Sequence, residues 1–314
     1  MTGTRSFCSD VSAGVGEQLA GSAPEALAWL ALEQPGPWGA KAFTASHLDP
    51  HLGRALEEVA AAHRVRPVLV RRPGRHAGAA AGGRGTSSSR HVLLAATHPE
   101  RCWLLEGRLT DPAALLGLDW AALAAGDRDA VVRSLPGLEP AAEPHLLVCT
   151  NGGRDVCCAV KGRPVALALH RARPRQVWEV THTSGHRFAA TAVLLPAGTL
   201  HGRLDTAGAE RLLTAAASGQ TVLPGSRGRS TWPGPAQVAE VAVRDAAGVT
   251  GLDDLVVVEH TALAAHRWRS TVRHRDGRRW RVEVSSSATD ALRSESCGKT
   301  ALPLRRYAAT VQTG

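Results

Sequence analysis

An α/β fold with a repeated unit is predicted by three observations. The chain of 314 residues, 44% apolar and 21% charged, is long enough for about two globular domains. Strand-like and helix-like runs follow one another in the order β-α-β-β-β-α, and that order is read twice. Near the C-terminus, strict alternation in HRWRSTVRH and RRWRVEV marks an additional β-hairpin.

The first unit opens with a strand over 29–32 and a helix over 48–62, followed by strands at 67–70, 91–96 and 103–105 and a helix over 112–124. A linker containing Pro and Glu, 135–144, leads to the second unit. There the strand 145–148 and the helix 157–171 precede strands at 176–181, 189–195 and 199–204 and a helix over 207–217. Beyond Leu223, PGSRGRSTWPGP reads as a turn-rich linker. In the hairpin, Trp268, Ser270, Val272 and His274 share a face that pairs with Trp280, Val282 and Val284, and arginines occupy the other face. Matching those faces requires a three-residue loop, Asp276 to Arg278, with a bulge.

An early crossover helix and a closing hairpin before the last helix predict two thioredoxin-like units in tandem, plus the smaller C-terminal section. The expected division is 1–134 for a unit without ligands, 135–223 for a unit carrying the chemistry, and 235–314 for the section with a helix and the Arg-rich hairpin. The end of the first strand reads EQPGPWG in one half and CTNGGRD in the other, so chemistry is expected in the second alone.

Composition excludes several classes. No apolar run approaches the roughly 18–20 residues of a membrane-spanning helix. MTGTRSFCSD lacks the apolar stretch of a secretory signal, so a cytoplasmic location is expected, with the six cysteines reduced and not a disulfide framework. All but three of the 37 basic residues are arginine, and the formal charge is +9. This pattern fits arginine-biased composition and, functionally, an acidic partner. One Tyr and three Phe offer little for stacking nucleobases, so nucleic acid is not the expected partner. There is no C-x-x-C and no C-x-x-C-H, and GAAAGGRGTSSS (78–89) lacks the ending of a phosphate loop and reads as a flexible insertion.

The densest constellation is Cys149-Thr-Asn-Gly-Gly-Arg-Asp-Val-Cys157-Cys158, followed by His182-Thr-Ser-Gly-His186. The first cysteine ends a strand, the pair opens a helix, and the glycines between make a loop able to wrap a small inorganic object. The histidines leave another strand end, next to the first in such a unit. Two thiolates and two imidazoles form a complete tetradentate set for zinc or, split two and two, for the irons of a 2Fe–2S cluster. Arg154 and Asp155 within the loop fit either a loop-closing ion pair or hydrogen bonding near the cluster sulfides. Cys102 reads as core, and Cys8 and Cys297 as structural.

At these residues the chain resembles the sucrase/ferredoxin-like family of thioredoxin-like ferredoxins. The resemblance rests on CTNGGRDVCCAVKGRP and HTSGHRFAATAVLLPAG, and more loosely on LAGSAPEALAWLALEQPGPWG, FCS and SCGK. It implies a 2Fe–2S cluster held by two cysteines with eight residues between them and an H-x-x-x-H pair: here Cys149, Cys158, His182 and His186, with Cys157 as the substitute for Cys158. Helix positions in succession point about 100° apart, so one cysteine of the pair serves. The ligand types imply an electron carrier with a pH-dependent potential, working between a reductase and an acceptor protein, and not a hydrolase, since no carboxylate pair marks a glycosidase. The alternative is a zinc-stabilised binding module that uses the same four ligands and engages an acidic partner through the Arg-rich hairpin. A third reading, a metal-free oxidoreductase acting through Cys157 or Cys158, is disfavoured by the negative charge of Asp155.

Overall fold

The computed structural model describes residues 7–74 and 89–313. It is a mixed α/β structure with one ten-stranded mixed sheet and a second, antiparallel sheet of four strands. Its elements are, in order, α1 (Cys8–Gly14), β1 (Ala28–Glu33), α2 (Pro50–Ala62), β2 (Val65–Arg71), β3 (Arg90–Ala96), β4 (Trp103–Leu109), α3 (Trp120–Ala125), α4 (Arg128–Ser134) and β5 (Leu138–Pro140). These are followed by β6 (His145–Cys149), α5 (Arg163–Ala172), β7 (Val177–Val180), β8 (Ala192–Leu195), β9 (Thr199–His201), α6 (Thr206–Ala217) and β10 (Ser226–Arg229). The chain ends with α7 (Gly234–Ala247), β11 (Leu255–Ala264), β12 (Arg267–His274), β13 (Arg279–Ser294) and β14 (Ala301–Thr313). No described helix is long and apolar enough to cross a membrane. Apart from Ser89, the Gly-rich stretch 78–89 lies outside the described residues.

The two halves carry the same pairings. β1 runs parallel to β2 and antiparallel to β3, which pairs with β4; β6 runs parallel to β7 and antiparallel to β8, which pairs with β9. Both sets then join edge to edge through β2 and β7, where Val70 faces Val180 and Arg71 faces Glu179. Val70 and Val180 belong to one core with Trp29, Leu147, Cys149 and Trp178, so the halves share an interior on this face. The opposite face is covered by α2, α3 and α4 in the first half and by α5 and α6 in the second. Alternation along the strands divides the two layers: Leu30 and Leu32 face the helices while Trp29 and Ala31 face the shared core.

Three segments depart from the pattern in the sequence. The helix expected over 112–124 splits into a 3₁₀ turn, Pro112–Gly117, and α3, because the Asp119 side chain caps a fresh helix by accepting from the Ala122 N–H. The segment 135–144 contains β5, which lengthens the sheet. The Gly- and Pro-rich stretch after Leu223 contains β10, paired with β9, and its Arg227 and Arg229 are fully buried. Two arginines within SRGR look like a solvated turn. Here backbone carbonyls from other segments accept from both guanidiniums, and Arg229 is also paired with Asp253.

The second sheet has the order β11-β12-β13-β14 and packs on α7 around Val272, Trp280, Val282 and Val284. The apolar faces of β12 and β13 meet as expected, Val272 opposite Trp280. The loop also has three residues but sits one position earlier, at 275–277, closed by the His274 N–H donating to Arg278 O at 2.9 Å. Several arginines of the hairpin are engaged within the chain: Arg269 and Arg267 with Glu283, Arg273 with Glu100, and Arg275 with Asp254.

Candidate metal centre

Cys149 is the last residue of β6 and is buried. The chain then turns sharply, with the Arg154 and Asp155 N–H groups donating to Asn151 O, and the Asn151 amide donating to Gly39 O at 3.0 Å. The following helix widens into a π turn over Cys158–Gly162 before continuing as α5. Pro164 has no N–H to continue a regular ladder, which accounts for the break. Glycine is required at 162 because a Cβ there would lie 2.1 Å from the Cys149 carbonyl oxygen. This contact seats the start of the helix on the end of β6 and sets Cys158 beside Cys149.

Gly162→Ala is therefore expected to force the two apart, at a cost of about 3 kcal/mol. Its urea midpoint, compared with that of the wild type, measures the cost, and an unchanged midpoint would show that the contact carries no strain.

The histidines come from the connection after β7. Ser184 (φ 59°) and Gly185 (φ 69°), both left-handed, reverse the chain. His186 thereby returns to stack on His182, with ring centroids 4.7 Å apart and planes at 24°. A Cβ at Gly185 would lie 2.6 Å from the Arg227 guanidinium, so glycine serves here both for backbone angle and for space.

The four side chains converge. Cys158 Sγ is 3.6 Å from His186 Nδ1. Cys149 touches both Cys158 and His182; the Cys158 thiol is the main influence holding its thiol well below the usual range, against burial, and His182 adds to it. Cys158 is pushed upward by the same pairing and by burial. Burial, reinforced by His182, lowers His186 and favours the neutral imidazole that a metal requires. His182 Nδ1 is buried and has no hydrogen-bond partner among the described residues. The cysteines form the inner side of the group and the half-buried histidines the solvent side.

Two cations flank it that no motif in the sequence marks. Arg227 donates to Thr183 O (3.3 Å), to Ser184 O (3.0 Å) and to Ser22, which fixes the histidine loop. Arg66 donates to His182 O at 3.3 Å and lies over the Trp29 ring. Burial lowers Arg227 to about 9 and Arg66 to about 10, so both remain charged at neutral pH. The anionic neighbour that favours both charged forms is Cys149, the thiol held low by its partners.

Cys157 turns away from this group. Its Sγ lies 3.5 Å from that of Cys8 and 3.2 Å from that of Cys297. Asp155 faces the same side: burial opposes ionisation, but hydrogen bonds from Ser296 and from the Cys297 and Cys157 N–H groups bring it down to about 2. It is not paired with Arg154, which is exposed. The ligand atoms of Cys8, Asp155, Cys157 and Cys297 all lie within 4.8 Å of one another, a set that could hold a metal ion. Only the loose likeness of FCS and SCGK drew attention to Cys8 and Cys297 in the sequence. Cys102 is half-buried, and burial raises its thiol to about 12.

Two surface pockets, about 540 and 760 Å³, meet at His182, Ala40 and Arg154. Lys41, Arg154 and Lys299 outweigh Glu57 and Glu295 along their rims, while Arg64 is paired with Glu25 and Arg187 with Glu17.

A family model described as sucrase/ferredoxin-like matches residues 19–228, well over half of the chain and including all of Cys149, Cys158, His182 and His186. The chain belongs to the sucrase/ferredoxin-like family. No curated protein and no solved structure gives a significant match.

Proposed function

We propose that the protein is an electron carrier that binds one 2Fe–2S cluster through Cys149, Cys158, His182 and His186. The observation that carries this reading is the pairing of that donor set, including the orphaned His182 Nδ1, with guanidiniums at Arg66 and Arg227 whose shared anionic neighbour is the Cys149 thiol. A buried cation is costly unless negative charge lies close by. A site whose charge becomes more negative in use makes that placement favourable.

When bound, the cluster supplies one-electron chemistry, with a potential raised by imidazole ligands relative to four thiolates. Cys149 and Cys158 would hold its inner side and the histidines its outer side. Arg227 keeps the histidine loop in place, and the two guanidiniums together favour the reduced state. Trp29 and Trp178, fully buried in the shared core, exclude water behind the thiols. We read each half as a thioredoxin-like unit, the cluster-bearing one being 135–223, because strand order and crossover agree with that pattern. Six free cysteines suit the cytoplasm. The reductase and acceptor would dock with acidic surfaces at the basic pocket rims beside the histidines.

One observation favours a second reading. The 3.6 Å between Cys158 Sγ and His186 Nδ1 matches two donors on a single tetrahedral zinc, about 3.6 Å from bond lengths. Three hairpin arginines of that reading, Arg267, Arg269 and Arg273, are already paired with Glu283 and Glu100, which weakens its acidic partner. Reductive titration of protein purified without oxygen separates the two: the carrier takes up one electron per chain reversibly, and a zinc module takes up none.

A further inference from the structure

Three cysteines distant in sequence meet at one point outside the donor set described above. Cys8 opens α1, Cys157 precedes the π turn, and Cys297 lies in the loop between β13 and β14. Sequence separations of 149, 140 and 289 residues close into a triangle with Sγ–Sγ edges of 3.5, 3.2 and 3.6 Å. A disulfide would need about 2.05 Å, so these are three free thiols. The Asp155 carboxylate caps the triangle, with Oδ2 3.9 Å from Cys8 Sγ. Cys8, Asp155 and Cys157 are buried, and Cys297 is half-buried.

We propose that Cys8, Cys157, Cys297 and Asp155 form a structural zinc site. Thiolates bound to one zinc at about 2.3 Å stand about 3.8 Å apart in tetrahedral geometry, so the observed edges of 3.2–3.6 Å would open slightly around the ion. Thiolate-rich, closed, four-donor sites of this kind select zinc among the common divalent ions by ligand softness and geometry. Ala189 and Phe7 pack beside the sulfurs, and polar donors reach them as well. The Ser9 hydroxyl donates to Cys157 Sγ (3.4 Å) and the Cys8 N–H to Cys297 Sγ (3.5 Å), both of which favour thiolates. The Asp155 carboxylate is oriented by the Cys157 N–H on Oδ1, and by the Ser296 hydroxyl and Cys297 N–H on Oδ2.

Its role follows from what it joins. A neighbouring ion-pair cluster ties the N-terminal segment to the histidine loop and to β13: Glu17 accepts from Arg187, just after His186, and from Arg293. Zinc would clamp the N-terminal helix and the β13–β14 loop onto the peptide that carries Cys158. This inference is independent of what Cys149, Cys158, His182 and His186 bind.

Protein from cells grown with both iron and zinc tests it by metal analysis and zinc-edge X-ray absorption. The expected result is one zinc per chain in a shell of three sulfurs and one oxygen, with zinc lost from a Cys8→Ser, Cys297→Ser variant whose visible spectrum and iron content are unchanged. Absorption on the wild type keeps the proposal testable if the variant does not fold. A shell of two sulfurs and two nitrogens would place zinc on the histidines and overturn the proposal. So would zinc-free wild-type protein, zinc retained by the variant, or a Cys157–Cys297 disulfide in protein isolated without oxygen.

Discussion

Cys158→Ser is expected to abolish iron binding, lowering affinity by more than about 100-fold, whereas Cys157→Ser is expected to leave iron and sulfide content at wild-type levels. The two residues are adjacent, so a general disturbance of the loop would affect both variants alike. They differ because successive helical positions diverge: Cys158 joins Cys149 and His186, while Cys157 joins Cys8 and Cys297. Iron and acid-labile sulfide per chain, measured on both variants, decide the point. Iron lost from Cys157→Ser and kept by Cys158→Ser would exchange the roles of the pair.

The second large effect is expected at Arg227. Arg227→Met removes a fully buried cation beside the thiols, together with the donors to Thr183 O and Ser184 O. The reduction potential should fall by on the order of 60 mV or more, since a charge interaction of about 1.4 kcal/mol corresponds to that shift for one electron. Arg227→Lys retains the charge but not the planar fork, so its potential should lie between those of wild type and Arg227→Met. Potentiometry on the three proteins separates charge from loop positioning. Equal potentials throughout would show that Arg227 acts only on the fold.

Local periodicity made much of this architecture legible. Short apolar runs such as 29–32 and 145–148 mark the strands, whereas the two faces they serve, Leu30 and Leu32 toward the helices and Trp29 and Ala31 toward the shared core, follow only from packing. The repeated order of elements anticipates pairings that recur in the two halves. Periodicity carries no information about how two edges meet, so the seam at Val70 and Val180 and the single ten-stranded sheet were out of reach. β10 was hidden because its Gly and Arg residues mimic a turn, and only tertiary partners, backbone carbonyls for both and the Asp253 carboxylate for Arg229, make Arg227 and Arg229 compatible with burial.

The candidate centre shows the same division. Cys149, the cysteine pair and the two histidines lie within two short stretches, and close spacing makes such a set visible. Cys8 and Cys297 are 289 residues apart, and no local pattern brings them to Cys157. The hairpin faces followed from alternation, but the loop position depended on a closing pair, His274 with Arg278, that alternation leaves free to shift.

The most direct measurement of the central claim is the visible absorption spectrum, with iron and sulfide analysis, of protein purified without oxygen, alongside a His182→Ala, His186→Ala variant. The electron-carrier account expects a coloured protein with two irons and two sulfides per chain, and a spectrum that is altered or lost in the variant. A colourless protein without iron, or a coloured one whose spectrum is indifferent to both histidines, would contradict it.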